Sequence, residues 1–286
     1  MPPRKPDLLG CHVSVAGGLD LAPGRADELG AFAIQIFTAN QRRWVVPELS
    51  DEQVEAFRAA RKASKVRVVM SHDSYLVNLA SPKQDVWDKS LEAFITEYRR
   101  CTRLGVDLLN FHPGAHLGEG EEAGIERVVE GLGRAIDAVP DSATRLVVEL
   151  TAGQGSSLGG RIEHAAAILD RVEADPPLGV CIDTQHVYAA GYDIREEKGY
   201  RTFFRDFDQL VGRKRLCAFH INDSKTELAS RVDRHEEIGK GTLGRAFFKR
   251  LMKDRRLARV PMMLETPDET RYADELRLLR RLRTAK

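Results

Sequence analysis

Eight short runs of β-branched and apolar residues recur along the chain, at 8–14, 32–37, 66–72, 108–113, 145–150, 179–183, 216–221 and 260–265. Runs this short and this uniformly apolar suit strands buried on both faces, as parallel strands are. Segments with helical spacing lie between them. In SDEQVEAFRAARKAS, Ser50 is a fitting N-cap, and Val54, Phe57 and Ala60 share one face. In DVWDKSLEAFITEYRRCTRLG, Trp87, Leu91, Phe94, Ile95, Tyr98 and Cys101 recur every three or four residues, and Gly105 is placed to end the helix. Strands alternating with helices over about 250 residues predict a (β/α)8 TIM barrel. No linker or change of composition divides the chain, so residues 1–286 are expected to form one domain, with 1–6 as a frayed tail. An open doubly wound sheet is the competing arrangement, but its Gly-rich phosphate turn is reduced to Ala16-Gly17-Gly18.

Six of these runs end on, or within one residue of, a side chain able to bind metal: His72, His112, Glu149, Asp183, His220 and Glu265. In such a barrel the carboxyl ends of all strands open onto one face, so these residues would converge. Any one of them alone reads as a satisfied core residue. Together they do not, because a carboxylate ending an apolar strand is costly to desolvate unless something pairs it. No Lys or Arg ends the same runs, so the expected partners are cations, and imidazole with carboxylate suits Zn²⁺, Mn²⁺ or Fe²⁺. Two further clusters lie past strand ends. His186 follows Asp183, and Asp233 and His235 stand two apart in VDRHEEIGKGTLG, where an extended backbone would point them the same way. The plain alternative for that stretch is a solvated charged loop.

Net charge is +1, which argues against coating nucleic acid through bulk charge but leaves room for a local basic surface such as Arg42-Arg43. The four cysteines form no C-x-x-C pair and read as buried small hydrophobes in a reducing compartment. No apolar run is long enough to span a membrane, and MPPRKPDLLG lacks the apolar core of a signal peptide.

Nine ordered stretches carry a family resemblance: GCHVSVAGGL, IFTANQRRW, SHDSYLVNLASP, LNFHPGAHL, VVELTAGQGSSLGG, CIDTQHVYAAGYDI, FHINDSK, DRHEEIGKGTLG and LETP. The chain resembles the endonuclease IV family of apurinic/apyrimidinic (AP) endonucleases from about Leu9 to Glu265. The resemblance implies a barrel holding three metal ions, typically zinc, that incises duplex DNA 5′ to an abasic site. His72 and His112 would bind the first metal, and Glu149 would bridge the first and second and help activate water. Asp183, His220 and Glu265 would complete the second; His186, Asp233 and His235 would hold the third. Three divalent ions against four carboxylates leave a positive site, suited to a phosphodiester. Products would be a 3′-hydroxyl and a 5′-deoxyribose phosphate, and the same machinery would remove blocks at 3′ ends.

Reaching an abasic sugar requires extruding it. The resemblance assigns Arg42, Tyr75 and Leu76 to the opened stack, with His116 as a lesser phosphate contact; on residue chemistry alone Tyr75-Leu76 reads as loop packing. His12 and His164 receive no role, and His164 is expected mid-helix as a surface or packing residue. Three positions depart from the usual pattern: Gln185 where Cys is common, Leu150 where Asn is common, and Ser71 where Pro is frequent. Leu150 removes a possible hydrogen bond near Glu149. The expected protein is a monomeric, cytoplasmic enzyme of the bacterial nucleoid without membrane partners. A sugar isomerase or epimerase on the same barrel is the alternative, needing fewer metals and no DRH cluster. A catalytically idle binding barrel would show a lost ligand, and none of the nine is missing.

Overall fold

The computed structural model describes residues 7–285; the expected tail at 1–6 lies outside them. The strands are β1 (Leu9–His12), β2 (Ala33–Ile36), β3 (Val68–His72), β4 (Leu108–Phe111), β5 (Arg145–Leu150), β6 (Gly179–Asp183), β7 (Leu216–Ile221), β8 (Asp223–Ser224), β9 (His235–Glu236) and β10 (Met262–Leu264). The helices are α1 (Ala22–Leu29), α2 (Asp51–Ala63), α3 (Gln84–Leu104), α4 (Glu121–Ala138), α5 (Ile162–Arg171), α6 (Thr184–Ala190), α7 (Glu197–Leu210), α8 (Gly244–Lys253) and α9 (Tyr272–Thr284). Strands β1 to β7 and β10 close into a barrel in the order β1-β10-β7-β6-β5-β4-β3-β2. Every pair is parallel, so each expected run forms a strand, trimmed at its ends. The pair β8 and β9 is an addition: an antiparallel hairpin lifts His235 out of what reads as plain loop.

Local chemistry sets the helix ends. Ser50 and Gln53 form the reciprocal capping box of α2, and α3 stops at Gly105, which takes φ 72°. Trp87, Leu91, Phe94, Tyr98 and Cys101 on α3 are buried against the barrel, as their spacing predicts. The four cysteines are free and buried. No helix among the described residues is long and apolar enough to cross a membrane.

Strand periodicity builds the centre. The barrel interior holds a layer of Ala33, Met70, Leu108, Val147, Cys181, Ala218 and Met263. Two residues further along the same strands stand Gln35, His72, Asn110, Glu149, Asp183, His220 and Glu265. Side chains two apart on a strand share a face, so the apolar plug is capped by a polar layer. Register keeps neighbours level, with Asp183 beside His220 and His72 beside Asn110.

Candidate metal centre

Glu149 lies in the middle of the polar layer and is 1% exposed. Its two oxygens face different groups. Oε2 is 3.4 Å from Nε2 of both His72 and His112. Oε1 is 3.1 Å from Nδ1 of His220, which in turn is 3.1 Å from Glu265 and 3.9 Å from Asp183. The third cluster sits higher, where His186 Nε2 and His235 Nε2 each lie 3.2 Å from one oxygen of the Asp233 carboxylate. All nine residues named from the sequence are thus brought together. Among the described residues, ligand atoms converge in His72–His112–Glu149, in Glu149–Asp183–His220–Glu265, and in Asp183–His186–His235. The last grouping adds that Asp183 also faces the upper cluster, with Oδ2 3.5 Å from His235 Nε2.

Hydrogen bonds fix which nitrogen is free in four of the five imidazoles. Nδ1–H of His72 donates to the carbonyl of Asp73 at 2.7 Å, that of His186 to Leu150 at 3.1 Å, and that of His235 to Glu265 at 3.1 Å. Each leaves Nε2 aimed at carboxylates. His220 is reversed: Nε2–H donates to Gln35 Oε1 at 2.6 Å, and Nδ1 faces the centre. An imidazole anchored at one nitrogen and open at the other is the arrangement of a metal ligand.

Three amides that the strand-end pattern does not single out hold the carboxylates. Asn110 donates to Glu149 Oε2 and Gln35 to Glu265 Oε1. Asn222 donates to Asp183 Oδ2 at 2.7 Å and accepts from the Glu265 backbone N–H at 3.1 Å. Gln35 and Asn110 were findable, since each stands two residues beyond an inward apolar residue of its strand. The Leu150 departure costs less than its side chain suggests: Asn110 binds Glu149, and the Leu150 carbonyl anchors His186. Asp183 also caps α6, with Oδ1 accepting from the backbone N–H of Gln185 and His186. Gln185 acquires a task as well. Its Nε2 donates at 2.9 Å to the carbonyl of Val232, the residue before Asp233. Ser71, the third departure, donates to Glu97 at 2.6 Å.

The electrostatics call for cations. Burial opposes ionisation of Glu149, yet the charges of His220 and His112 and hydrogen bonds from His112 and His186 hold it well below the usual carboxylate range. Burial likewise opposes protonation of His186 and His220; the carboxylates beside His186, and Glu149 and Glu265 beside His220, push both well above the imidazole range. His235 is raised to about 9 against its burial, by Asp183 and Asp233. This cluster of carboxylates draws positive charge, and its donor set of imidazole and carboxylate fits divalent metal. Nε2 of His235 points the same way, lying between the Asp233 and Asp183 carboxylates at 3.2 and 3.5 Å without an aligned hydrogen bond to either.

Above the cluster opens a cleft of ≈ 510 Å³ with His72, His112, His186 and Asp233 on its floor. Tyr75 is 61% exposed at its rim, with its ring 5.1 Å from that of His72. Leu76 is half-buried beside it, and Arg42 is exposed on the neighbouring loop. His116 commits Nδ1 to the backbone N–H of Gly118 and Gly120, organising its own loop. His164 lies in the first turn of α5, not mid-helix, and is 4% exposed; its Nδ1 accepts from Gly159 N–H at 3.0 Å. The glycine-rich GKGTLG folds around Asp223, which accepts from the backbone N–H of Gly239 and Leu243 at 2.9 Å each. A Cβ on Gly241 would lie 2.6 Å from that carboxylate.

The family described as "Xylose isomerase-like TIM barrel" matches residues 23–282. A protein of Phocaeicola vulgatus named probable endonuclease 4 is 46% identical over 276 residues, covering 95% of this chain and 98% of its own. The crystal structure of endonuclease IV from Thermus thermophilus superposes with a TM-score of 0.86 at 38% identity, covering 98% of this chain and 100% of that one. A D-tagatose 3-epimerase-like protein shares the fold, with a TM-score of 0.74 at 16% identity and 96% of both chains covered. With its metal-capable barrel mouth and near full-length relatives, the chain belongs to the endonuclease IV family of AP endonucleases.

Proposed function

We propose that the protein incises duplex DNA 5′ to an abasic site, with three divalent ions, zinc foremost, held by the nine converging residues. As a member of its family it is a metal-dependent AP endonuclease acting on DNA. His72, His112 and Glu149 would hold one ion, Glu149, Asp183, His220 and Glu265 a second, and His186, Asp233 and His235 a third. When bound, such ions supply an acidified water and Lewis acidity at a phosphate.

The chain's own residues do the placing. Glu149, ionised and held by Asn110, turns one oxygen to each buried group and so keeps two cation positions adjacent. Anchoring of all four hydrogen-bonded imidazoles at their far nitrogen makes the site preorganised, so little rearrangement accompanies reaction. Tyr75 stands at the cleft beside the first group, with half-buried Leu76 next to it, where an extruded sugar would leave a gap to fill, and Arg42 flanks them. His116 has one nitrogen left for a backbone phosphate. In-line displacement would leave a 3′-hydroxyl and a 5′-deoxyribose phosphate, and a blocked 3′ end would present the same phosphate ester to the same groups.

One observation carries the reading: a single buried carboxylate, Glu149, faces two separate sets of imidazoles while a third set converges on Asp233. The test is incision of duplex DNA bearing one abasic analogue by protein of verified metal content. Cutting 5′ to the analogue, abolished by chelation and restored by zinc, is expected. Intact DNA with fully loaded protein, or cutting indifferent to chelation, would overturn it.

A further inference from the structure

Two buried charged side chains on α3 take no part in the metal centre. Glu97 is 9% and Arg100 8% exposed, and both point at the start of the segment that carries Arg42. Arg100 donates to the hydroxyl of Thr38 at 2.8 Å, to the Thr38 carbonyl at 2.5 Å and to the Pro47 carbonyl at 2.7 Å. It thereby ties both ends of residues 38–47, a stretch with no helix or strand of its own. The Thr38 hydroxyl donates to Glu97 Oε2 at 2.6 Å. The other oxygen of Glu97 accepts from Ser71 at 2.6 Å, and Ser71 precedes the ligand His72 on β3. At the far side, Ser74 donates to the carbonyl of Gln41 at 2.7 Å, joining this segment to the one bearing Tyr75 and Leu76.

We propose that Thr38, Glu97 and Arg100 are positioning residues that hold the Arg42 segment at a fixed place relative to the strand bearing His72. The two segments assigned to the opened DNA stack and the first metal group are then presented as one unit. Buried charge is otherwise a poor stabiliser, and surface loops are mobile unless tied down. Here the charge is used where an irregular segment must be ordered before DNA arrives, so binding does not bear that entropy. Thr38 is the weakest link, because one hydroxyl serves both Arg100 and Glu97.

The inference rests on the DNA-contacting role given to Arg42, Tyr75 and Leu76, so the test includes a readout that needs no DNA. Trypsin has a ready target in exposed Arg42 and Arg43. In metal-loaded protein, Thr38→Val should speed nicking after these arginines and raise KM for abasic duplex about tenfold, with kcat and metal content unchanged. Thr38→Ser, which keeps the hydroxyl, should restore both. Should Thr38→Val fold poorly, Ser74→Ala removes the tie between the two segments, together with a local bond from the Leu76 N–H, leaves the Arg100 clamp in place, and should move the same readouts to a smaller extent. Unchanged nicking and KM would overturn the proposal, as would a fall in kcat or metal content at unchanged KM. A wild-type protein that fails to cut abasic DNA would defeat the functional reading alone, while the trypsin comparison would still decide the clamp.

Discussion

The two halves of the metal-capable cluster are built differently. The lower half, around Glu149, Asp183, His220 and Glu265, hangs from barrel strands or their last residues and is held by the amides of Asn110, Asn222 and Gln35. The upper half takes His186 from a helix, and Asp233 and His235 from a connection that pairs only through a two-residue hairpin. Asp183 is 0% exposed, whereas the Asp233 side chain is 47% exposed. Strand ends locked into a closed ladder cannot shift singly; a loop-borne carboxylate can. The lower half therefore reads as the fixed frame, and the upper half as the labile part that faces the cleft and substrate.

Changes at the frame should be the most damaging. Glu149→Gln removes the one carboxylate shared by both buried groups, and incision should fall by ~10³-fold or more, with loss of metal at two positions. Asp233→Asn should instead remove one metal equivalent and lower incision by roughly 10²-fold, with the other two equivalents retained. A variant that lost all metal would break the division into frame and labile part. Gln35→Leu should act through its two partners, His220 and Glu265, weakening metal retention roughly 10-fold to 100-fold, read as the chelator concentration that halves zinc content. Equal retention would mean that the ladder alone orients those ligands.

The smallest effect concerns pH. In metal-free protein, His186 and His220 are raised well above the usual imidazole value and His235 to about 9. A raised pKa stabilises the folded state fully below about 6.5 and loses that contribution as pH climbs through the folded value. Metal-free protein should therefore melt at a lower temperature near pH ~9 than near pH ~6.5. Bound metal keeps the same rings neutral, so loaded protein should show less of this slope. Identical slopes would remove the carboxylates as the cause of the raised imidazoles.

The convergence of acids and imidazoles at the barrel mouth was legible because apolar runs that end on such side chains advertise an unmet charge. The amides were fainter: Gln35 and Asn110 carry no charge to violate the pattern, and only the two-residue period of their strands marks them as inward. Asn222 lies just past β7, where no period reaches it. The hairpin of β8 and β9 is two residues a side, too short for any periodic signal, so His235 read as loop. The glycines of GKGTLG permit a close approach to the backbone, and the group that makes it is Asp223 from within the chain. Gln185 was opaque for a related reason: its partner Val232 lies 47 residues away, and only folding brings it to the turn between Asp183 and His186.

Stepwise chelation of zinc-loaded protein, followed by elemental analysis, tests the division most directly. Three equivalents should be present at the start, and one should leave well before the other two, with incision lost in that first step. In Asp233→Asn the early step should be missing and the later two unchanged. Release of all metal in one step, or a starting content of one equivalent, would contradict the account.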